Sequence, residues 1–327
     1  MESVRLGRTG IEVPRVSLGT WGHGGPKLVG KHPVGWSGYD AEAAQAALLL
    51  AYERGLTHWD TADVYGDGSA ERSIGSLWDT VPRQQIFLAS KVGWDAGDHS
   101  HFYHPDQMRR QLELSLGNLH TDHIDLYYLH HCDFGPDDEF LDDAVDRIRR
   151  FRDEGKIRFI GLSDWKSEKI LHYAQQVDPD VVQPYRNVVD DSWEVSGLAT
   201  WVEANDIGVA FFSPLKHGLL LGNYREPPAL GTGDHRTRVP GFSDTEQLAH
   251  YRDCRKAVEA RFPSLPNPVL SSLVGALLED APSACVLLGL RRPHHVDAAA
   301  LAGSPLTSED ALWVRELYRS GTQLFGG

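Results

Sequence analysis

The chain is poor in several things, and each shortage narrows what it can be. Its 327 residues include three cysteines, Cys132, Cys254 and Cys285, an odd number at wide spacing. That suits reduced thiols rather than a disulfide framework or a zinc site. Long apolar runs are missing: stretches such as Ala46 to Ala51 and Val209 to Phe212 fall far short of the ~20 residues that span a bilayer. The start, Met1-Glu2-Ser3-Val4-Arg5, has no charged segment followed by an apolar one, so no leader is read there and a cytoplasmic protein is expected. Bases are outnumbered, 32 Lys and Arg against 46 Asp and Glu, and the net charge of -14 repels phosphate backbones and anionic lipid. Nucleic acid and membrane are therefore not expected as partners. No Gly-x-Gly-x-x-Gly follows an apolar strand, which leaves out a Rossmann phosphate loop.

What is present is a rhythm. Short apolar stretches alternate with segments of helical spacing, with little filler, and the length suits an α/β fold of the (β/α)8 TIM barrel type as one domain over 1–327. Two apolar patches, Val4 to Leu6 and Ile11 to Val13, flank Gly7-Arg8-Thr9-Gly10 and predict an N-terminal β-hairpin that plugs the barrel floor. Strands are expected at Val16 to Trp21, Thr57 to Asp60, Ile86 to Lys91, Ile124 to His130, Ile157 to Leu162, Val181 to Gln183, Val209 to Phe212 and Ala284 to Leu288. Helices are expected at Ala41 to Arg54, Ala70 to Asp79, Asp106 to Leu119, Asp138 to Glu154, Ser167 to Gln176, Gly197 to Asn205, near 246–261 and 268–280, and at His294 to Ala302. Met108, Leu112, Leu116 and Leu119 form one core stripe, and Leu141, Val145, Ile148 and Phe151 another. An added C-terminal helix begins at Thr307 with acids in its first turn. The connection 213–245, dense in Gly, Pro and Arg, is too long for a neutral link and reads as a lid.

The chemistry centres on Asp60-Thr61-Ala62-Asp63-Val64-Tyr65-Gly66, a loop at the C-terminal end of a strand, where parallel barrels carry their sites. Asp60, Lys91 and His130 end three successive strands, so a closed barrel sets them side by side with Tyr65. A phenol titrates near pH ~10 and yields a proton near neutrality only if a cation steadies the phenolate. Lys91 would supply that cation, Asp60 would orient it, and His130 would hydrogen-bond a carbonyl. Such a set suits negative charge developing on oxygen, as when hydride adds to a carbonyl.

These residues carry a family likeness. Asp60-Thr61-Ala62-x-x-Tyr65-Gly66, Ser90-Lys91-Val92-Gly93 and Asp125-Leu126-Tyr127-Tyr128-Leu129-His130 resemble the aldo-keto reductases. So do Leu6-Gly7-Arg8-Thr9-Gly10, Gly161-Leu162-Ser163-Asp164 and Phe212-Ser213-Pro214-Leu215, in the right order over essentially the whole chain. The resemblance implies Tyr65 as general acid or base, with Asp60, Lys91 and His130 completing a tetrad.

It also implies an extended nicotinamide dinucleotide, and Arg291 with Arg292 leans this toward NADPH (NADP+), with NADH as the alternative. Ser163, Asp164 and Gln183 would hold the carboxamide, Phe212 would stack on the nicotinamide, and Ser213, Leu215 and Lys216 would meet the pyrophosphate. Thr20, Trp21, Asp60, Gly289 and His295 complete the implied set. Asp164 departs from the usual amide, and the usual acid and amide at the adenine are Ala298 and Ala299 here. Arg291 and Arg292, at a strand-to-helix junction, suit a phosphate, though they could instead pair with surface acids.

Loops rich in rings supply the substrate wall: Trp21, Tyr65, Trp94, His130 and His131, with His23, Trp36, His99, His101, Phe102 and Trp165 as further candidates. His131 replaces a frequent Trp and favours a hydrophilic substrate; rings and hydrogen-bonding groups suit a sugar-like carbonyl or alcohol, or equally a hydrophobic aldehyde. No metal set is recognised. An NAD-dependent sugar or alcohol dehydrogenase is the second reading, and a cofactor-sensing subunit resembling potassium-channel β subunits the third.

Overall fold

The chain opens with two short strands, β1 (Ser3–Arg5) and β2 (Glu12–Pro14), paired antiparallel with Val4 opposite Val13. The computed structural model describes residues 2–320, so Met1 and 321–327 of the expected domain lie outside the described residues. Val4, Leu6 and Val13 are buried against Phe87, Ala89, Leu126, Val181 and Ala210, side chains at the lower end of the barrel interior. The hairpin is thus the expected plug. Its turn is pressed on the barrel at Gly7, whose φ is +51° and where a Cβ would stand 2.1 Å from the Gly208 nitrogen. Only glycine fits both demands.

Eight strands close the barrel: β3 (Val16–Gly19), then, past a small hairpin of β4 (Leu28–Val29) and β5 (His32–Pro33), β6 (His58–Asp60), β7 (Phe87–Val92), β8 (Ile124–Leu129), β9 (Ile157–Asp164), β10 (Val181–Pro184), β11 (Gly208–Phe211) and β12 (Ala284–Gly289). Neighbours in sequence are neighbours in space, all parallel, and β12 closes on β3 through Leu288 opposite Leu18. Every residue of β7 and β8 is buried, as expected of strands covered on both faces.

The surrounding helices are α1 (Ala41–Glu53), α2 (Ser69–Gly75), α3 (Pro105–Asn118), α4 (Leu141–Asp153), α5 (Ser167–Val177), α6 (Ser192–Val195), α7 (Leu198–Ala204), α8 (Thr245–Arg261), α9 (Pro268–Leu278), α10 (Pro293–Ala299) and the added α11 (Ser308–Arg319). Both core stripes fall on buried faces. Asp40, Asp244 and Thr307 accept from first-turn amides of α1, α8 and α11, which fixes where those helices start.

The structure departs from expectation in the connections. The helix expected over 70–79 ends at Gly75, which abuts the end of α3: a Cβ there would stand 2.4 Å from the Asn118 carbonyl oxygen. The first strand stops at Gly19, and Trp21–His23 forms a 3-10 turn. The connection 213–245 is a chain of 3-10 turns at Lys216–Leu221, His235–Arg238 and Pro240–Phe242, fastened to the loop after β3. His235 N donates to Gly35 O at 2.8 Å and Gly35 N to Gly233 O at 2.9 Å, making a strap across the barrel mouth.

Candidate active site

Parallel pairing sets the strand ends level at the rim. Asp60 lies opposite Ala89 and Lys91 opposite Tyr128, while His130 follows β8 directly, its N–H donating to Val92 O. Lys91 Nζ donates to Asp60 Oδ1 at 2.5 Å and Thr61 O at 2.7 Å, and stands 3.5 Å from the Tyr65 hydroxyl. The other Asp60 oxygen accepts from Gln183 Nε2 at 2.8 Å, so the carboxylate is held from both sides. The Tyr65 and His130 rings meet edge to face with centroids 6.0 Å apart. His130 Nδ1 is buried and has no partner in the structure. All four expected catalytic side chains thus converge.

Their electrostatics differ from the sequence expectation in one respect. Burial, followed by the charges of Asp60 and Asp63, raises the Tyr65 phenol well above its usual value. These influences outweigh the opposing one of the Lys91 ammonium, whose charge is matched at close range by Asp60. Burial lowers the Lys91 ammonium and raises the Asp60 carboxyl, and the ion pair opposes both shifts. Burial also holds His130 well below the ordinary imidazole value, so it is a neutral hydrogen-bonding group at neutral pH. The site therefore holds a protonated phenol beside a cation able to stabilise a phenolate.

A cavity of about 1150 Å3 runs from Tyr65 and His130 across the barrel mouth to Arg291 and His295. That exceeds the space a drug-sized ligand needs. Among the expected cofactor residues, Trp21, Asp60, Ser163, Asp164, Gln183, Phe212, Ser213, Leu215, Lys216, Gly289, Arg291 and His295 line it. Thr20 does not; its hydroxyl donates to Asp60 O at 3.0 Å, below the surface. Arg292 is exposed and lies off the wall, which leaves the expected arginine pair as a single arginine. Arg291 is half-buried, donates to Ser37 O at 3.0 Å and forms no ion pair among the described residues. A Cβ on Gly22 would lie 2.4 Å from Arg291 Cδ, so the glycine makes room for that side chain. Asp164 is less available than its place suggests, since Oδ2 accepts from Cys132 N and Oδ1 from Lys166 N.

On the substrate side, Trp21, Trp36, Trp94, His131 and Trp165 line the cavity, while Phe102 lines a recess beside it. His23 instead turns inward, with Nε2 2.9 Å from Leu290 O, His99 stacks on His104 and His101 on Phe140. Trp21 stacks near-parallel on Tyr65 at 6.2 Å. Two histidines that sequence reasoning passed over, His217 and His235, complete a cluster of rings with Trp21 and Trp165. Also unforeseen were Tyr185 and Arg236 on the cavity wall, and Asp234, which binds Ser37 and Arg236 together beneath the strap. Their signal is a pairing between distant loops, which no local pattern records.

The comparisons with known proteins agree with this fold. A model of the aldo/keto reductase family matches residues 15–318. The aldo-keto reductase YhdN of Bacillus subtilis is 29% identical over 318 residues, covering 95% of this chain and 91% of that one. The NADH-specific methylglyoxal reductase of Escherichia coli is 30% identical over 235 residues, 68% of this chain and 70% of the relative. Among solved structures, a glycerol dehydrogenase from Gluconobacter oxydans superposes with a TM-score of 0.80 at 24% identity, over 98% of this chain and 95% of that one.

Proposed function

The chain belongs to the aldo/keto reductase family, and from that premise we propose that it reduces an aldehyde or ketone to the alcohol with NADPH, Tyr65 giving the proton. Members of the family are nicotinamide-dependent oxidoreductases acting on carbonyl and alcohol groups. The observation that carries the reading is the chain of contacts from Tyr65 to Lys91 to Asp60 beside a cavity of about 1150 Å3 whose lining reaches Arg291 and His295.

The donor set fits such a cofactor. Ser163 and Gln183 would hold its carboxamide, Phe212 its ring, Ser213, Leu215 and Lys216 its pyrophosphate. Arg291, which forms no ion pair among the described residues and has room made for it by Gly22, would take a phosphate, while His295, whose buried Nδ1 has no hydrogen-bond partner among them, lies at the same end. When bound, the cofactor supplies a hydride to the carbonyl carbon. His130, held neutral by burial, orients the carbonyl oxygen through a hydrogen bond. Tyr65 passes its proton to that oxygen, and the Lys91 ammonium steadies the phenolate that remains. Asp60 keeps the lysine charged and in place. Trp21 and the strap exclude water from the reacting atoms.

Burial of Tyr65 favours the protonated phenol, the form that reduction uses, and the reverse oxidation passes through the same groups. Arg291 supports NADPH, although the Escherichia coli relative is named NADH-specific. Ala298 on the cavity wall, offering no polar group, keeps an NAD-dependent dehydrogenase as the second reading. Among the described residues no helix is long and apolar enough to cross a membrane. A small carbonyl compound is the proposed partner, and a cytoplasmic location is part of the same proposal.

The test is Tyr65→Phe, read as aldehyde-dependent NADPH oxidation together with tryptophan-monitored cofactor binding. Loss of turnover by about a thousandfold with cofactor affinity retained supports the assignment. Turnover at the parent rate overturns it. Binding of cofactor by the parent protein without turnover of any carbonyl would instead fit a sensing subunit.

A further inference from the structure

Beside Trp94 the mouth opens into a recess of about 400 Å3, and four residues, Trp94, His131, Asp164 and Trp165, wall both this recess and the main cavity. The two spaces therefore adjoin. A file of rings leads from one to the other: Tyr65 to His130 at 6.0 Å, His130 to His131 nearly parallel at 4.9 Å, His131 to Trp94 at 4.6 Å. The recess thus begins two rings from the proposed proton donor.

The charges around it are unevenly committed. Two acids line it. Asp164 spends both oxygens on backbone amides, Cys132 N at 2.9 Å and Lys166 N at 3.0 Å. Asp133 is exposed, accepts from Gly135 N, and faces the His101 ring at 4.0 Å. Two bases line it as well. The Lys166 ammonium has no ion pair or hydrogen bond among the described residues, and Lys169 donates only to the Cys132 carbonyl at 3.3 Å. In a chain with 46 acids to 32 bases, two neighbouring lysines without a carboxylate partner are an imbalance. They stand at the start of α5, whose helix dipole adds positive potential at the same spot. Facing them, His131 Nε2 is fully buried and has no partner. Tyr103 fixes the main chain of that residue, donating to its carbonyl at 2.6 Å and accepting from its backbone N–H at 3.0 Å, and the imidazole packs against the His130 and Trp94 rings.

We propose that the recess walled by Trp94, His131 and Trp165 and topped by Lys166 and Lys169 is a subsite for an anionic substrate tail, so that the preferred carbonyl compound carries a carboxylate or phosphate a short chain away from the reacting carbon. This rests on the reading of Tyr65 and His130 as the site of carbonyl reduction. With the carbonyl there, the chain of the substrate runs along the His130 and His131 rings, and its anion meets His131 Nε2 and the two ammonium groups. Both ammonium groups are exposed, so each contact is a solvent-screened attraction and it is the pair of them together that discriminates. An excess of negative charge elsewhere on the protein leaves this patch as the local attraction for an acid.

The test compares matched aldehydes: succinic semialdehyde against butanal, and glyceraldehyde 3-phosphate against glyceraldehyde, with the parent enzyme and with Lys166→Gln combined with Lys169→Gln. Both lysines are exposed, so the variant is expected to fold, and a far-UV spectrum and melting curve check this. The expected result is a kcat/KM for the acid member about tenfold or more above its neutral match. In the double variant that advantage shrinks about tenfold, through KM, while the neutral aldehydes lose little. Raising the salt should erode the advantage in the parent only. A preference confined to one of the two acids identifies its source, carboxylate or phosphate. Equal turnover of charged and neutral aldehydes, or a preference that survives loss of both lysines, overturns the subsite and leaves carbonyl reduction intact. No turnover of any aldehyde overturns the reading beneath it.

Discussion

Asp60, Lys91 and His130 stand on one side of the cavity, on or beside strands of a closed barrel. Ser213, Lys216 and His217 stand on the other, at φ values of +57°, +46° and +61°, a region that costs side-chain-bearing residues on the order of 1 kcal/mol each. The first wall is fixed by strand ladders and burial. The second is a strap held down by a few side chains, chiefly Asp234. This carboxylate accepts from Ser37 N and Oγ on one loop and from Arg236 N, Nε and Nη2 on its own. Burial alone would raise Asp234, but these bonds outweigh it and keep the acid well below the usual carboxylate range. The contrast teaches a division of labour. The rigid wall keeps reacting groups in register, while the strained, pinned wall can let a large ligand in and out.

Altering the rigid wall should produce the largest effect. Lys91→Met removes the cation beside Tyr65 and leaves Asp60 buried without its ammonium. Turnover should fall by about a thousandfold or more with cofactor affinity changed less than about threefold. Breaking the buried pair should also cost about 3 kcal/mol of stability. Adding Asp60→Asn should return part of that stability and none of the rate. A melting curve and single-turnover kinetics on the three proteins separate the two contributions, and a double variant that regained rate would show that charge at Lys91 is not what the chemistry uses.

Loosening the strap should do the reverse. Asp234→Asn weakens the bonds to Arg236 and keeps the shape, so dinucleotide release should quicken by about tenfold while turnover at saturating cofactor stays within about threefold. Stopped-flow tryptophan fluorescence reads this directly. If release were unchanged, the strap would be as rigid as the barrel and the contrast between the walls would fail. A smaller effect is expected from Arg291→Leu. Removing the arginine that has no acid partner should lower NADPH affinity about tenfold and NADH affinity much less, in a paired titration.

The same contrast explains what could be read from the chain alone. The meeting of Asp60, Lys91 and His130, the proposed catalytic wall, was legible because these residues sit at strand ends, where the rhythm of apolar stretches puts a titratable side chain into the mouth. The hairpin plug was legible for a similar local reason, two apolar patches about a glycine turn. Asp234, His217 and His235 were not, since their roles come from contacts with Ser37, Trp21 and Trp36 almost two hundred residues earlier. Arg292 misled because sequence places it beside Arg291 without telling which of two neighbours at a helix start faces inward. Asp164 aligns with a carboxamide contact, yet its carboxylate is engaged by two backbone amides that only the folded loop brings near.

Behind the rigid wall lies a further cost, and it bears on stability rather than on turnover. Asp63 is buried between Tyr65 and α3; Oδ2 accepts from Gln111 at 3.1 Å and Oδ1 has no partner. Burial, then the nearby Glu71 carboxyl, pushes its pKa up to about 8. In the unfolded chain it would titrate near pH ~4. The folded protein therefore binds this proton more tightly than the unfolded one, so the contribution is fully present below pH ~4 and is lost progressively as pH rises toward about 8. Asp63→Asn keeps the bond to Gln111 and removes the titration. The parent should lose melting temperature between pH 5 and 8 by about 2 °C or more relative to the variant, with the two curves converging at the acid end. Equal slopes would mean that water or a shifted loop solvates Asp63, and the catalytic wall would then be less dry than its burial implies.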